Sequence, residues 1–407
     1  MSAAIAGQCE EPFEQVAREF ERNFAERAEL GASICVVHEG RTVVDLWGGS
    51  ADAAGTVPWQ QDTIVVVFSC TKAATALCVH MLACRRELDL DAAVMRYWPA
   101  FAEDAKREIT VRMLLNHQAG LPGLSRPLEA GALLDFDAMV ELMERETPLW
   151  RPGSRHGYHA ITYGWLLGEV IRRVAGETVG TYFRRNVAEP LDLDFWLGLP
   201  PSEEHRVATT VMADAGADAR GPRFAAALAR GEPAQVASVN SSADFLTPGA
   251  CDAPGAHAVE IPAANGIANA RGLAGMFAVL SVGGGLDGAT LVDADQIAQM
   301  GATESAGGED AVMLEPCRFS PGFEKGAPGR AALLGADGLV LSEPAFGHSG
   351  LGGSVGFADP DGRFAFGYAM NRHARPGELQ NARSQPLIDA TYRSLGYRSC
   401  SSGKWVV

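Results

Sequence analysis

The order of strand-like and helix-like segments predicts an α+β fold: an antiparallel sheet flanked by helices and built from both ends of the chain, with a mostly helical domain inserted. Three observations carry this. Residues 31–68 alternate β-branched and aromatic runs with a tight turn, and the same texture returns from about residue 310. Between them the chain runs in helical segments ending at Pro or Gly. The sheet domain is expected from residues 1–84 and 307–407, and the inserted domain from 85–306. A long excursion at 201–262, rich in Ala, Gly and Pro, reads as irregular.

Size and charge narrow the function. With 407 residues and 47% hydrophobic side chains the chain can bury a large core. A net charge of −16 argues against nucleic acid or an anionic membrane as a partner. No apolar run is long enough to span a bilayer, and no basic region precedes an apolar one at the N-terminus. The eight cysteines lack metal-site spacing, so neither a metal nor another cofactor is expected. Without an export signal they read as reduced thiols in a cytoplasm. Oligomeric state is not legible.

Taken in order, Phe13, Val16, Phe20 and Phe24 recur at helical intervals within an amphipathic helix over 11–30. Residues 32–37 and 42–47 flank His38-Glu-Gly-Arg41 as a hairpin. Thr63–Phe68 reads as a short buried strand, and helix-forming residues follow from Lys72. Helical segments are expected at 88–99, 109–122, 136–145, from about 161, at 269–280 and at 293–300. Gly-rich strands over 346–370 turn at Asp359-Pro-Asp-Gly362, and 387–395 closes the chain as a helix.

The chemistry centres on the change of texture at Ser69. A hydroxyl at a helix start sits among free N–H groups in a positive potential, and Lys72 lies on the same face one turn on. Ser-x-x-Lys alone is weak. A second copy, Ser401 to Lys404, lies in a polar tail without a strand before it or a helix after it, and fails the context test. Cys70 points away from the Ser69 face. His117, before a Gly turn at a helix end, reads as a structural cap. Gly352-Gly-Ser-Val-Gly356 has the form of a nucleophile elbow, but no helix follows Ser354, so that reading is rejected.

Ser69-Cys-Thr-Lys72, Tyr158-His-Ala160 and His348-Ser-Gly350 fall in the order and approximate spacing of three motifs of the serine β-lactamase and penicillin-binding-protein fold. Residues 114–121, 163–168 and 189–193 also resemble that family, and the similarity runs from about residue 13 to 397. Within it the chain resembles the family VIII carboxylesterases, which are class C β-lactamase-like. The resemblance implies a Ser69 nucleophile, Tyr158 as base and acid with Lys72 as its partner, and an oxyanion hole from the backbone N–H groups of Ser69 and Leu351. It also places His348, Ser349, Gly350 and His159 around the substrate. Which of Lys72 and Tyr158 accepts the first proton is not legible, since both have reference pKa values near 10.

Two departures indicate the reaction. Ala160 stands where β-lactamases of this kind carry Asn, and His348 where they carry Lys, so a fixed cation for a β-lactam carboxylate is missing. The expected substrate is a short-chain carboxylic ester, hydrolysed through an acyl-enzyme, with weak β-lactam turnover as a side activity. A β-lactamase or D-amino-acid peptidase, an acyltransferase using the same acyl-enzyme, and a silent binding protein are the alternatives.

Overall fold

In the computed structural model, which describes residues 4–212, 221–242, 245–327, 338–374, 379–400 and 403–407, both ends of the chain feed one antiparallel sheet. Its strands are β1 (Ile5–Cys9), β2 (Gly31–His38), β3 (Arg41–Gly49), β4 (Ser305–Ala306), β5 (Arg318–Ser320), β6 (Phe323–Lys325), β7 (Phe346–Ser349), β8 (Val355–Asp359) and β9 (Phe364–Met370). Their spatial order is β1-β3-β2-β9-β8-β7-β6-β5-β4. The ends of the chain meet where β2 pairs with β9, from Ala32 opposite Met370 to His38 opposite Phe364.

Both faces of the sheet are covered, which is why β8 and β9 are buried throughout rather than alternating. The main helices are α1 (Glu14–Glu26), α2 (Thr71–Cys84), α3 (Thr162–Ala175), α4 (Ala270–Ser281) and α5 (Ser384–Ser394). Cross-strand neighbours Phe357 and Phe366 face α5, where Phe357 stacks with Tyr392 at 6.3 Å between ring centroids. The adjacent pair Gly356 and Gly367 faces α4, and a side chain on Gly367 would collide with the carbonyl of Ala270. α4 thus packs on the sheet although it lies within the 85–306 stretch assigned to the insertion.

α2 is buried from Thr71 to Leu82, and its small Ala, Thr and Cys residues allow close approach on every side. Three expectations change in detail. The strand read over Thr63–Phe68 is confined to Val65–Val66, because Phe68 takes a left-handed φ of 47° and turns the chain into α2. The 88–99 segment holds no α-helix, only a short 3-10 turn at Val94–Arg96 ahead of Pro99, and 109–122 shortens to a helix at Val111–Leu115, ended where His117 takes a positive φ of 58°. The 201–262 excursion is not irregular throughout: Gly221–Ala229, Pro233–Asn240 and Pro254–Ala258 are helices, two of them started by Pro at the first helical position. Residue 401 of the second Ser-x-x-Lys copy lies outside the described residues.

Candidate active site

Ser69 sits in the 3-10 turn Phe68–Cys70 that runs directly into α2, half-buried at the wall of a cavity of about 240 Å³. Phe68, with its positive φ, lifts the chain into that turn; a bulky residue there is strained and persists only where its surroundings impose it. Lys72 follows one turn later, and its side chain is fully buried.

Three oxygens surround the Lys72 amine. Nζ is 3.1 Å from Ser69 Oγ, 2.7 Å from the Ala160 carbonyl and 2.9 Å from the Ala263 carbonyl. A neutral amine has two N–H groups and a lone pair. With the two carbonyls accepting both N–H groups, the lone pair faces the Ser69 hydroxyl. Burial lowers the Lys72 pKa to about 7, against a smaller upward pull from Glu324. The amine is therefore readily neutral near physiological pH.

The sequence builds this contact from a distance. Thr71 Oγ1 accepts from Gly266 N–H at 2.8 Å and Thr75 Oγ1 donates to the Pro262 carbonyl at 2.6 Å, so α2 itself tethers the segment that carries Ala263. Gly164 of α3 permits the approach, since a Cβ there would lie 2.6 Å from Ala263 N.

Tyr158 completes the corner. Its ring centroid lies 4.8 Å from Lys72 Nζ, 4.9 Å from the His117 ring and 6.3 Å from that of Phe319, with which it is stacked. Burial and the Glu324 carboxylate hold the phenol pKa well above the ordinary value. Tyr158 is thus a neutral hydroxyl in the resting site. Its N–H donates to Asp310 Oδ1 at 3.0 Å; Val312 N–H and Met313 N–H reach the same oxygen, each at 2.8 Å.

The third motif passes beside this corner. Cys70 Sγ donates to the His348 carbonyl at 3.4 Å, and a Cβ on Gly350 would strike the Val67 carbonyl at 2.3 Å, so only glycine lets the strand end approach. Leu351 lines the cavity, and among the described residues its N–H has no acceptor. Ser349 and Gly350 also line the cavity.

Two of the substrate-contacting residues expected from the resemblance lie elsewhere. His159 is buried behind Tyr158: Nδ1–H donates to the Gly157 carbonyl at 2.6 Å and Nε2 accepts from Leu121 N–H at 3.0 Å. Its neighbour faces the cavity, so the next side chain along faces inward. His348 is likewise buried, its ring 6.2 Å from that of Tyr158 and its Nδ1–H donated to the Ser349 carbonyl at 2.7 Å. Burial lowers its pKa, which leaves a neutral imidazole supporting the Tyr158 corner rather than lining the cavity. His117 is structural but not as the carbonyl cap expected: its Nδ1 accepts His159 N–H at 3.1 Å, beside the Tyr158 ring. Burial raises the Cys70 thiol pKa, and Ser354 is buried at the start of β8 with no helix after it.

Sequence reading missed Glu324, Asp310 and the Ala263 carbonyl. Glu324 stands on β6 opposite Gly347 of β7, in the cavity wall. Its tie to the third motif depends on strand pairing, which leaves no local signal. Much of the rest of the wall is apolar, with Phe68, Ile161, Phe245, Leu246, Met313 and Leu351 among its residues. Among the described residues there is no cluster of metal-ligating side chains and no helix long and apolar enough to cross a membrane.

Comparison with known proteins gives the family. The β-lactamase family model matches residues 16–389, and the chain belongs to that family. An esterase/β-lactamase, LipL, from Mycobacterium tuberculosis is 37% identical over 384 residues, covering 91% of this chain and 84% of its own. The crystal structure of a family VIII carboxylesterase superposes with a TM-score of 0.85 at 36% identity, covering 96% of this chain and all of that one. A penicillin-binding-protein homologue from Caulobacter crescentus gives 0.81 at 38% identity, with the same coverage.

Proposed function

We propose that the protein is a serine carboxylesterase that hydrolyses short-chain, uncharged esters through an acyl-enzyme on Ser69. The observation that carries this is the Lys72 amine held by two carbonyls, 3.1 Å from Ser69 Oγ, at the wall of an apolar cavity. Lys72 takes the Ser69 proton as Oγ attacks the ester carbonyl carbon. The N–H groups of Ser69 and Leu351 receive the oxyanion, and losing one such donor typically costs about 10²–10³ in turnover.

The electrostatics favour Lys72 as the first acceptor. Tyr158, neutral in the same cavity wall, then passes a proton to the departing alkoxide and takes one back from the water that cleaves the acyl-enzyme, and Lys72 returns its proton to Ser69 Oγ as the acyl–oxygen bond breaks. The esterase relative and the carboxylesterase structure support the choice of ester over amide. Ala160 and His348, which replace an amide and a cation expected of a β-lactamase, make β-lactam turnover minor. Free thiols at Cys9, Cys35, Cys70, Cys78, Cys84, Cys251 and Cys317 support a reducing cytoplasm as the compartment. We keep residues 85–306 as the inserted domain, which lends the sheet its edge strand β4 and the covering helix α4. The test is hydrolysis of p-nitrophenyl acetate and butyrate: turnover that disappears in Ser69→Ala supports the reading, and unchanged turnover in that variant overturns it.

A further inference from the structure

Ser349 faces the cavity with both its donors already engaged. Its N–H donates to Glu324 Oε2 at 2.8 Å and its hydroxyl donates to the same oxygen at 2.7 Å. A hydroxyl and a main-chain N–H converging on one point form a ready anion site. Here the protein's own carboxylate fills it, with its other oxygen 3.7 Å from His348 Nδ1.

The remaining charges of the wall do not cancel this one. Arg318 donates to Glu343 at 2.5 Å and to the Gly326 carbonyl at 2.9 Å, and Lys325 donates to the Glu343 carbonyl at 2.7 Å. Arg318 and Lys325 line the cavity but are both tied to Glu343, which does not, while Glu315 adds a second acid to the lining. A substrate carboxylate near the third motif would meet a like charge, and the two Ser349 donors that could have received it are already taken by Glu324.

We propose that Glu324 is a specificity-determining residue, which admits esters that are uncharged or cationic near the third motif and excludes those carrying a carboxylate there. The proposal rests on the esterase reading above and deepens it: the site has gained an anion as well as lost the cation that His348 replaces. At the separations this cavity allows, a single like charge lowers kcat/KM by roughly ten- to a hundredfold.

The experiment compares three p-nitrophenyl esters of similar length: butyrate, hemisuccinate and 4-(trimethylammonio)butyrate. In the wild-type protein the hemisuccinate is expected about tenfold or more below the butyrate in kcat/KM, with the ammonium ester at or above it. Glu324→Gln, which keeps an acceptor for Ser349 but removes the charge, is expected to narrow the hemisuccinate-to-butyrate gap by about tenfold. An unchanged gap in a folded Glu324→Gln overturns the proposal. Should that variant not fold, the wild-type series decides, and an ammonium ester turned over no faster than the hemisuccinate overturns it. If the butyrate is not hydrolysed, or is hydrolysed equally by Ser69→Ala, the esterase reading falls and this inference with it.

Discussion

Ser69 and Ser305 each stand beside a titratable nitrogen base, and their surroundings differ sharply. Ser69 has Lys72 Nζ at 3.1 Å, and Ser305 has His156 Nδ1 at 2.8 Å with Asp310 Oδ2 3.8 Å beyond the far ring nitrogen. By residue type the second cluster resembles a Ser-His-Asp triad more than the first does. Yet Ser305, His156 and Asp310 are all buried, and none lines the cavity, whereas Ser69 opens onto it beside the Leu351 N–H. Asp310 Oδ1 is occupied by three backbone N–H groups, one of them from Tyr158. Nucleophile–base distance therefore does not define a site. Space for a carbonyl and donors for its oxygen do. The buried cluster instead holds the backbone from which Tyr158 projects.

That contrast can be broken or sharpened by substitution. The largest expected effect is at the open cluster: Ser69→Ala and Lys72→Ala each lower kcat for p-nitrophenyl butyrate by about 10⁴ or more, since nucleophile and base act as a unit. Tyr158→Phe follows at about 10²–10⁴. In these three, a circular-dichroism melt close to wild type separates lost chemistry from lost fold. Asp310→Ala comes next, with kcat down about ten- to a hundredfold through a displaced Tyr158. Its stability to urea falls by about 2–4 kcal/mol, from three buried N–H groups without an acceptor. Asp310→Asn, which keeps a carbonyl oxygen there, recovers most of both. Ser305→Ala is expected to change kcat by less than about twofold. A larger loss there would mean that the buried cluster takes part in the chemistry.

The pH profile sharpens the same point. Lys72 must be neutral to accept a proton, and its pKa is lowered to about 7 by burial. kcat/KM should therefore rise with pH through an apparent pKa near 7 and level off above it. Glu324 raises the Lys72 pKa, so Glu324→Gln moves this rise to lower pH. A rise centred near 10 would instead point to an unperturbed amine or phenol.

The parts legible in the sequence were those written locally. The change from β-branched residues to helix formers marked Ser69, and Lys72 one turn on needed only helical periodicity. Tyr158 was found through its motif and its order along the chain. The error at His159 came from treating neighbours in a motif as neighbours in the cavity, although adjacent side chains there face opposite ways. Ala263 and Glu324 left no local trace. Ala263 reaches Lys72 across 191 residues, and Glu324 reaches Ser349 only through the pairing of β6 with β7. In the fold, the amphipathic helix near the N-terminus, the hairpin and the closing helix were plain. The short helices of 221–258 were obscured by Ala, Gly and Pro, a composition read as loop, although Pro at the first turn starts two of them.

The claim on which the rest depends is that Ser69 alone carries the acyl group. Reaction with a fluorophosphonate followed by intact-mass and peptide mapping tests it directly. The account predicts one phosphonyl group per chain, on the peptide containing Ser69, and none in Ser69→Ala. Full labelling of the Ser69→Ala protein, or an adduct mapped to Ser305 or Ser349, would contradict it.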